Sequence, residues 1–97
     1  MKNKYIELVK RWQAGEAVSH EQLKTNFEAA SQDYYAYAAA NAGTYDTAWS
    51  LNQFANFAVA AVYDSATTTA GAIAASNAAE AADHWVKQYE EWRKLEK

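Results

Sequence analysis

Two histidines, His20 and His84, are the only imidazoles in the chain, and there is no cysteine. Thiolate nucleophiles, disulfides and zinc–thiolate sites are therefore excluded. Glu80, Asp83 and His84 share one helical turn, and the i, i+4 pair Glu80/His84 could form one edge of a metal site. A second cluster would be needed. The only other Glu/His pair at that spacing, Glu16/His20, straddles an expected linker, and the paired Glu-x-x-His motifs of di-iron bundles are absent. Gly-rich phosphate loops, H-E-x-x-H and G-x-S-x-G are absent as well. Serines and threonines serve here as caps and small packing residues. The pattern assigns no catalytic residue, no metal ligand and no cofactor, and an enzyme is not expected.

The chain is rich in aromatic rings: seven tyrosines, four tryptophans and three phenylalanines. Tyr34, Tyr35 and Tyr37 lie within four positions, which cover about 300° of a helix. They cannot all face one core, so Tyr34 or Tyr35 should reach solvent. Tyr45, Trp49, Phe57 and Tyr63 follow. Phe57 falls on the polar stripe through Asp46, Ser50, Gln53 and Asp64, where a core residue is not expected, and Trp49 borders it. Contiguous apolar surface of this kind marks contact sites on soluble proteins. Tyr34, Tyr35, Tyr45, Trp49 and Phe57 are therefore the candidate protein-binding residues. The alternative is that a fourth helix or a second copy of the chain covers them.

Charge is segregated in the same way. Every Lys and Arg lies at or before Lys24, or at or after Lys87. Between them stand only Glu28, Asp33, Asp46, Asp64, Glu80 and Asp83, a net charge of -6, against +2 and +1 for the two ends and -3 overall. Such a segment is either a helical hairpin buried by its neighbours or a low-charge docking surface, since interface centres are poor in Lys and Glu and rich in Tyr and Trp. With the bases split between the ends and a pI of about 5.3, no basic stripe exists for nucleic acid. Six central acids are also too few to imitate a DNA backbone.

The elements that must position these residues are helices. Proline is absent and only three glycines interrupt an alanine-rich chain. A first helix is expected over about residues 3–14, with Tyr5, Leu8, Val9 and Trp12 as its apolar face and Gly15 as its C-terminal cap. Ser19-His20-Glu21-Gln22 reads as a capping box, flanked by the hydrophobic staple positions Val18 and Leu23. It opens a second helix over about 20–42 with the seam Leu23, Phe27, Ala30, Tyr34, Tyr37. Gly43 and Thr44 should turn the chain into a third helix, about 45–63, apolar around most of its circumference and so central. A turn is expected near Asp64–Thr69, where three consecutive threonines suit a helix poorly. A fourth helix, about 67–95, has the seam Ala74, Ala78, Ala81, Trp85, Gln88, Trp92, Leu95 and a second capping box at Asn77 that could bend it. Gly71, Ala75 and Ala79 form an i+4 stripe of small residues. Trp12, Trp85 and Trp92 should tie the first helix to the end of the fourth. The fold class is all-α, a small antiparallel bundle of about four helices forming one domain over 1–97.

No apolar run reaches the ~20 residues of a membrane span, and Glu7, Lys10 and Arg11 interrupt any signal-peptide core. A cytoplasmic protein is expected. The Trp12-Gln13-Ala14-Gly15-Glu16 turn, the Ser19 cap, the runs Ala38-Ala39-Ala40, Ala60-Ala61, Ala74-Ala75, Ala78-Ala79 and Ala81-Ala82, and the charged Trp85…Trp92 helix carry a resemblance. Over nearly its whole length the chain resembles the short alanine-rich helical immunity-protein family of phages and bacteria. It departs in having fewer central charges and more Tyr and Asn. The resemblance implies a protein that acts by binding, in a bacterial host cell, to a toxin or a defence component such as a CRISPR complex. It carries over no catalytic residue. The alternative class is a homo-oligomeric helical structural or assembly protein, a homodimer for instance, joined through the alanine seams.

Overall fold

The computed structural model describes residues 3–40 and 46–95. They form an all-α bundle of four helices, α1 (Lys4–Gln13), α2 (His20–Ala40), α3 (Thr47–Thr67) and α4 (Ala72–Arg93).

Local signals set most of the ends. The Asn3 side chain accepts from the backbone N–H of Tyr5 and Ile6, and Gly15, at φ 84°, leaves α1 in the left-handed region. The capping box forms. The Ser19 N–H donates to Gln22 Oε1 at 2.9 Å, and the Gln22 N–H donates back to Ser19 Oγ at 3.1 Å. The expected cap of α3, Thr44, lies outside the described residues. Asp46 caps the helix instead, accepting from the Trp49 N–H at 2.9 Å, so α3 begins two residues after the expected start.

The other end of α3 is a correction. The helix runs on past Tyr63 to Thr67, because the Thr67 hydroxyl donates to the Tyr63 carbonyl at 2.7 Å and the Thr68 N–H donates to Asp64. The turn is thereby moved to Thr68–Gly71, and α4 starts at Ala72 rather than Thr67. Gly71 sits at φ 110°, ψ 178°, a conformation open to glycine alone, with no side-chain cap. It is a turn residue, not the first member of a packing stripe. From Ala72 to Arg93, α4 is one uninterrupted helix through Ser76 and Asn77.

α3 is the central element. α2 and α4 pack against it on separate sides, and α1 lies across α3 and α2. The core comprises Ile6 and Val9 of α1, Leu23 and Ala30 of α2, Leu51, Ala55, Ala58, Val59 and Val62 of α3, and Ala82, Val86 and Tyr89 of α4, with Tyr5 at its edge. Two seams therefore differ from the sequence reading. On α1, Ile6 is buried, while Leu8 lines a groove against α2. On α4, the buried row is one residue further along. The large rings of Trp85 and Trp92 lie at its flank, where they reach Phe54 of α3 at 5.6 and 5.5 Å, and Leu95 is exposed past the helix end. The two tryptophans thus tie α4 to α3. α1 meets α4 through a surface ion pair, Lys10–Glu90, at 3.3 Å.

Polar contacts fix the remaining register. The Ser31 hydroxyl donates to Asn56 Oδ1 at 3.0 Å, and Ser65 donates to the Ala75 carbonyl at 2.8 Å. Buried Tyr5 donates its hydroxyl to Asp33, pinning α1 to α2. Burial first, then the hydrogen bond and charge of Asp33, push the Tyr5 pKa from 10.0 up to about 12. The folded state therefore holds this proton more tightly than the unfolded chain. Its contribution is complete below pH 10 and is lost as pH rises from about 10 through about 12. Tyr5→Phe should cost about 1–2 kcal/mol in neutral urea unfolding. The same variant should lack this alkaline decline in stability. Identical alkaline slopes for the two proteins would remove Tyr5 as its source.

Candidate protein-binding face

At 100° per residue, the buried side of α3, through Leu51, Ala55, Ala58, Val59 and Val62, occupies an arc of roughly 100°. An arc of similar width on the opposite side holds Trp49, Gln53, Asn56, Phe57, Ala60 and Asp64. These residues are half-buried apart from exposed Asp64. α2 and α4 both reach this arc, α2 through Ser31 at Asn56 and Tyr34 beside Trp49, and α4 through Trp85 on Phe57. Ser50, placed on the polar stripe by the sequence reading, is buried instead at the α3 core boundary.

The ring contacts run along this arc. Tyr34 of α2 is half-buried and lies 6.5 Å from Trp49, with Tyr35 tilted against it at 5.4 Å. Tyr35 is 67% exposed, as the crowding of three tyrosines requires. Tyr37 donates its hydroxyl to both carboxylate oxygens of Asp46, at 3.1 and 3.2 Å. One carboxylate thus caps α3 and holds the last turns of α2. Partial desolvation, followed by the Asp46 hydrogen bond and charge, raises the Tyr37 pKa.

Phe57 lies on the same arc, two turns from Trp49, but it is not the free ring that its place on a polar stripe suggested. Trp85 of α4 packs against it at 4.9 Å, with His84 edge-on to the indole at 4.8 Å. The face therefore has two aromatic groups, Tyr34–Tyr35–Trp49 towards one end and Phe57–Trp85–His84 further along. Gln53 and Asn56 lie between them. Tyr45 lies outside the described residues. Trp85 and His84 were missed as members of this face, because periodicity placed Trp85 in the α4 seam and gave no sign of the ring across from it.

Other concavities offer less. A groove of about 650 Å³ between α1 and α2 is floored by Tyr5, Leu8 and Ala29. Several of its polar groups are engaged within the fold: Tyr5 with Asp33, the Asn26 side-chain amide with the Tyr5 carbonyl, and Arg11 with Glu16. Among the described residues no three His, Asp or Glu side chains gather as a metal site, and Asp83 pairs with Lys87 at 2.9 Å. No described helix is long and apolar enough to cross a membrane. Comparison of the chain with protein families, curated proteins and solved structures gives no match.

Proposed function

We propose that the chain is a non-enzymatic protein-binding inhibitor of the phage and bacterial immunity or counter-defence type, acting on a toxin or defence component in the cytoplasm of a bacterial host. The class of target comes from the family resemblance. The reading that it binds rests on one observation: an exposed tyrosine, Tyr35, continues a half-buried aromatic row formed with Tyr34 of α2 and Trp49 of α3. Tyrosine and tryptophan at the centre of such a face supply large, stiff contact area.

The test compares the wild type with Tyr35→Ser. The substitution touches an exposed ring, so the unfolding free energy from urea titration should stay within about 0.5 kcal/mol of the wild type. Binding to a partner recovered from bacterial lysate should weaken by more than about 2 kcal/mol, the size of a hot-spot truncation. Phe57→Ser is unsuitable as a partner mutation because it would strip Trp85 of a packing neighbour. Equal retention of every captured protein by the two forms would sink the assignment. A concentration-dependent dimer in light scattering that Tyr35→Ser abolishes would favour the structural class instead.

A further inference from the structure

We propose that α1 exchanges between two copies of the chain, each α1 leaving its own bundle to fill the seat vacated in the other. The seat already fits it. Ile6 and Val9 of α1 are buried with Leu23 and Ala30 of α2 and Val59 and Val62 of α3 in one core cluster, and Tyr5 donates its hydroxyl to Asp33. The α1 of a second copy meets the same groups, so the contact between chains continues an interface already present within each. Exchange of an identical element is a low-cost route to a dimer. It draws on no residue of the aromatic face and stands independently of the binding reading.

What must change is the link, residues 14–19. It is exposed except for half-buried Val18. It contains no proline, and Ala14, Glu16 and Ala17 are good helix formers. The obstacle is Gly15, which turns the chain at φ 84°. Straightened into helix, the link joins α1 and α2 into one rod from Lys4 to Ala40. The sequence is in phase for this. Eighteen residues, five whole turns, separate Tyr5 from Leu23, Val9 from Phe27 and Trp12 from Ala30. The apolar faces of the two helices therefore fall on one side of the straight rod. The closed pairing has a matching symmetry. The Asn26 amide donates to the Tyr5 carbonyl and Tyr5 donates to Asp33, and both pairs are centred, in sequence, within the link. Two rods lying antiparallel about a two-fold axis at their links restore these pairs between chains.

Local signals favour the closed monomer in dilute solution, since the left-handed Gly15 and the Ser19–Gln22 capping box both interrupt a helix at the link. Concentration drives the exchange. Each half of the dimer keeps its own Tyr34, Tyr35 and Trp49, so exchange doubles the aromatic faces carried by one particle.

Gly15→Ala separates the two states. A Cβ at this position meets no atom within 4 Å, so the substitution acts through the backbone alone. Alanine is strained at φ 84° and favoured in a helix. Two links change per dimer, so the dissociation constant seen by light scattering should fall about a hundredfold or more. Gly15→Asn is the control. Asn tolerates the left-handed turn and is a weak helix former, so this variant should stay as monomeric as the wild type. Dimers refolded from a mixture of isotope-labelled and unlabelled Gly15→Ala chains should show nuclear Overhauser contacts from Ile6 or Val9 of one chain to the α2–α3 core of the other. Tyr35→Ser should leave this dimer intact, which distinguishes it from two chains joined through the aromatic face.

A Gly15→Ala chain that stays monomeric at millimolar concentration would overturn the proposal, as would a dimer whose α1 contacts all lie within one chain. Should Gly15→Ala not fold, the wild type decides. Held at millimolar concentration near its thermal midpoint and then cooled, it should yield the same exchanged dimer, and recovery of monomer alone would overturn the proposal.

Discussion

Urea unfolding of Trp85→Ala is expected to show a loss of roughly 3 kcal/mol, near the lower end for removing a packed Trp ring. The ring is only half-buried, which places it at that end. Its neighbours explain why the loss is still large. Trp85 stacks on Phe54 at 5.6 Å and meets Phe57 at 4.9 Å, and Trp92 closes on Phe54 from the edge at 5.5 Å. These four rings pack together within the contact between α3 and α4. Truncation removes apolar burial and leaves two phenylalanines facing a gap that water can enter. The loss would be a large share of the 5–15 kcal/mol typical of a whole domain. A change below about 1 kcal/mol would show that the ring contributes little packing. Trp92→Ala should cost less, since its indole meets one of these phenylalanines rather than two.

A second large effect is expected from Ala58→Leu. Ala58 of α3 and Ala82 of α4 are both 0% exposed, in the most enclosed part of the bundle. Alanine there lets neighbouring helices approach closely, and three added carbons have no space to enter. Overpacking of a tight core costs about 1–3 kcal/mol. The upper end is expected because Ala58 belongs to the helix that every other helix contacts. Thermal unfolding should show a clear fall in midpoint and near-ultraviolet circular dichroism a loosening of the aromatic environment. Leucine at exposed Ala36 of α2 is the control and should be close to neutral. A neutral Ala58→Leu variant would mean that the helices are more loosely packed than these accessibilities imply.

The elements were legible where two or more local signals coincided. At Ser19 a cap, a reciprocal Gln22 and a flanking Val18/Leu23 pair agreed, and the helix begins where they place it. Between α3 and α4 the signals conflicted. The threonine run suggested an early stop, yet the Thr67 hydroxyl satisfies a carbonyl of its own helix, and the break falls at Gly71, whose backbone conformation no composition rule reveals. Helix seams were legible to within one residue. A tryptophan beside a core row can satisfy the same spacing from its flank, as Trp85 does beside Ala82, Val86 and Tyr89. The candidate face was legible in part. The crowding of Tyr34, Tyr35 and Tyr37 announces an exposed ring. The pairing of Phe57 with Trp85 joins residues 28 apart, and no periodicity along one helix can disclose it.

The central position of α3 also bears on how quickly the bundle can assemble. Most packing joins helices that follow one another, α2 with α3 and α3 with α4. Two helical hairpins thus compete to close first, and α3 belongs to either. Largely local topology of this kind is associated with folding in microseconds to milliseconds. α1 adds the longer-range contacts with α3, whose loop-closure cost is repaid only once a hairpin exists. Substitutions at Ile6 or Val9 should therefore accelerate unfolding with little change in the folding rate, whereas those at Val59 or Val62 should slow folding itself. The arms of a chevron plot distinguish the two, and the amino-terminal helix would emerge as the last piece to dock and the first to leave.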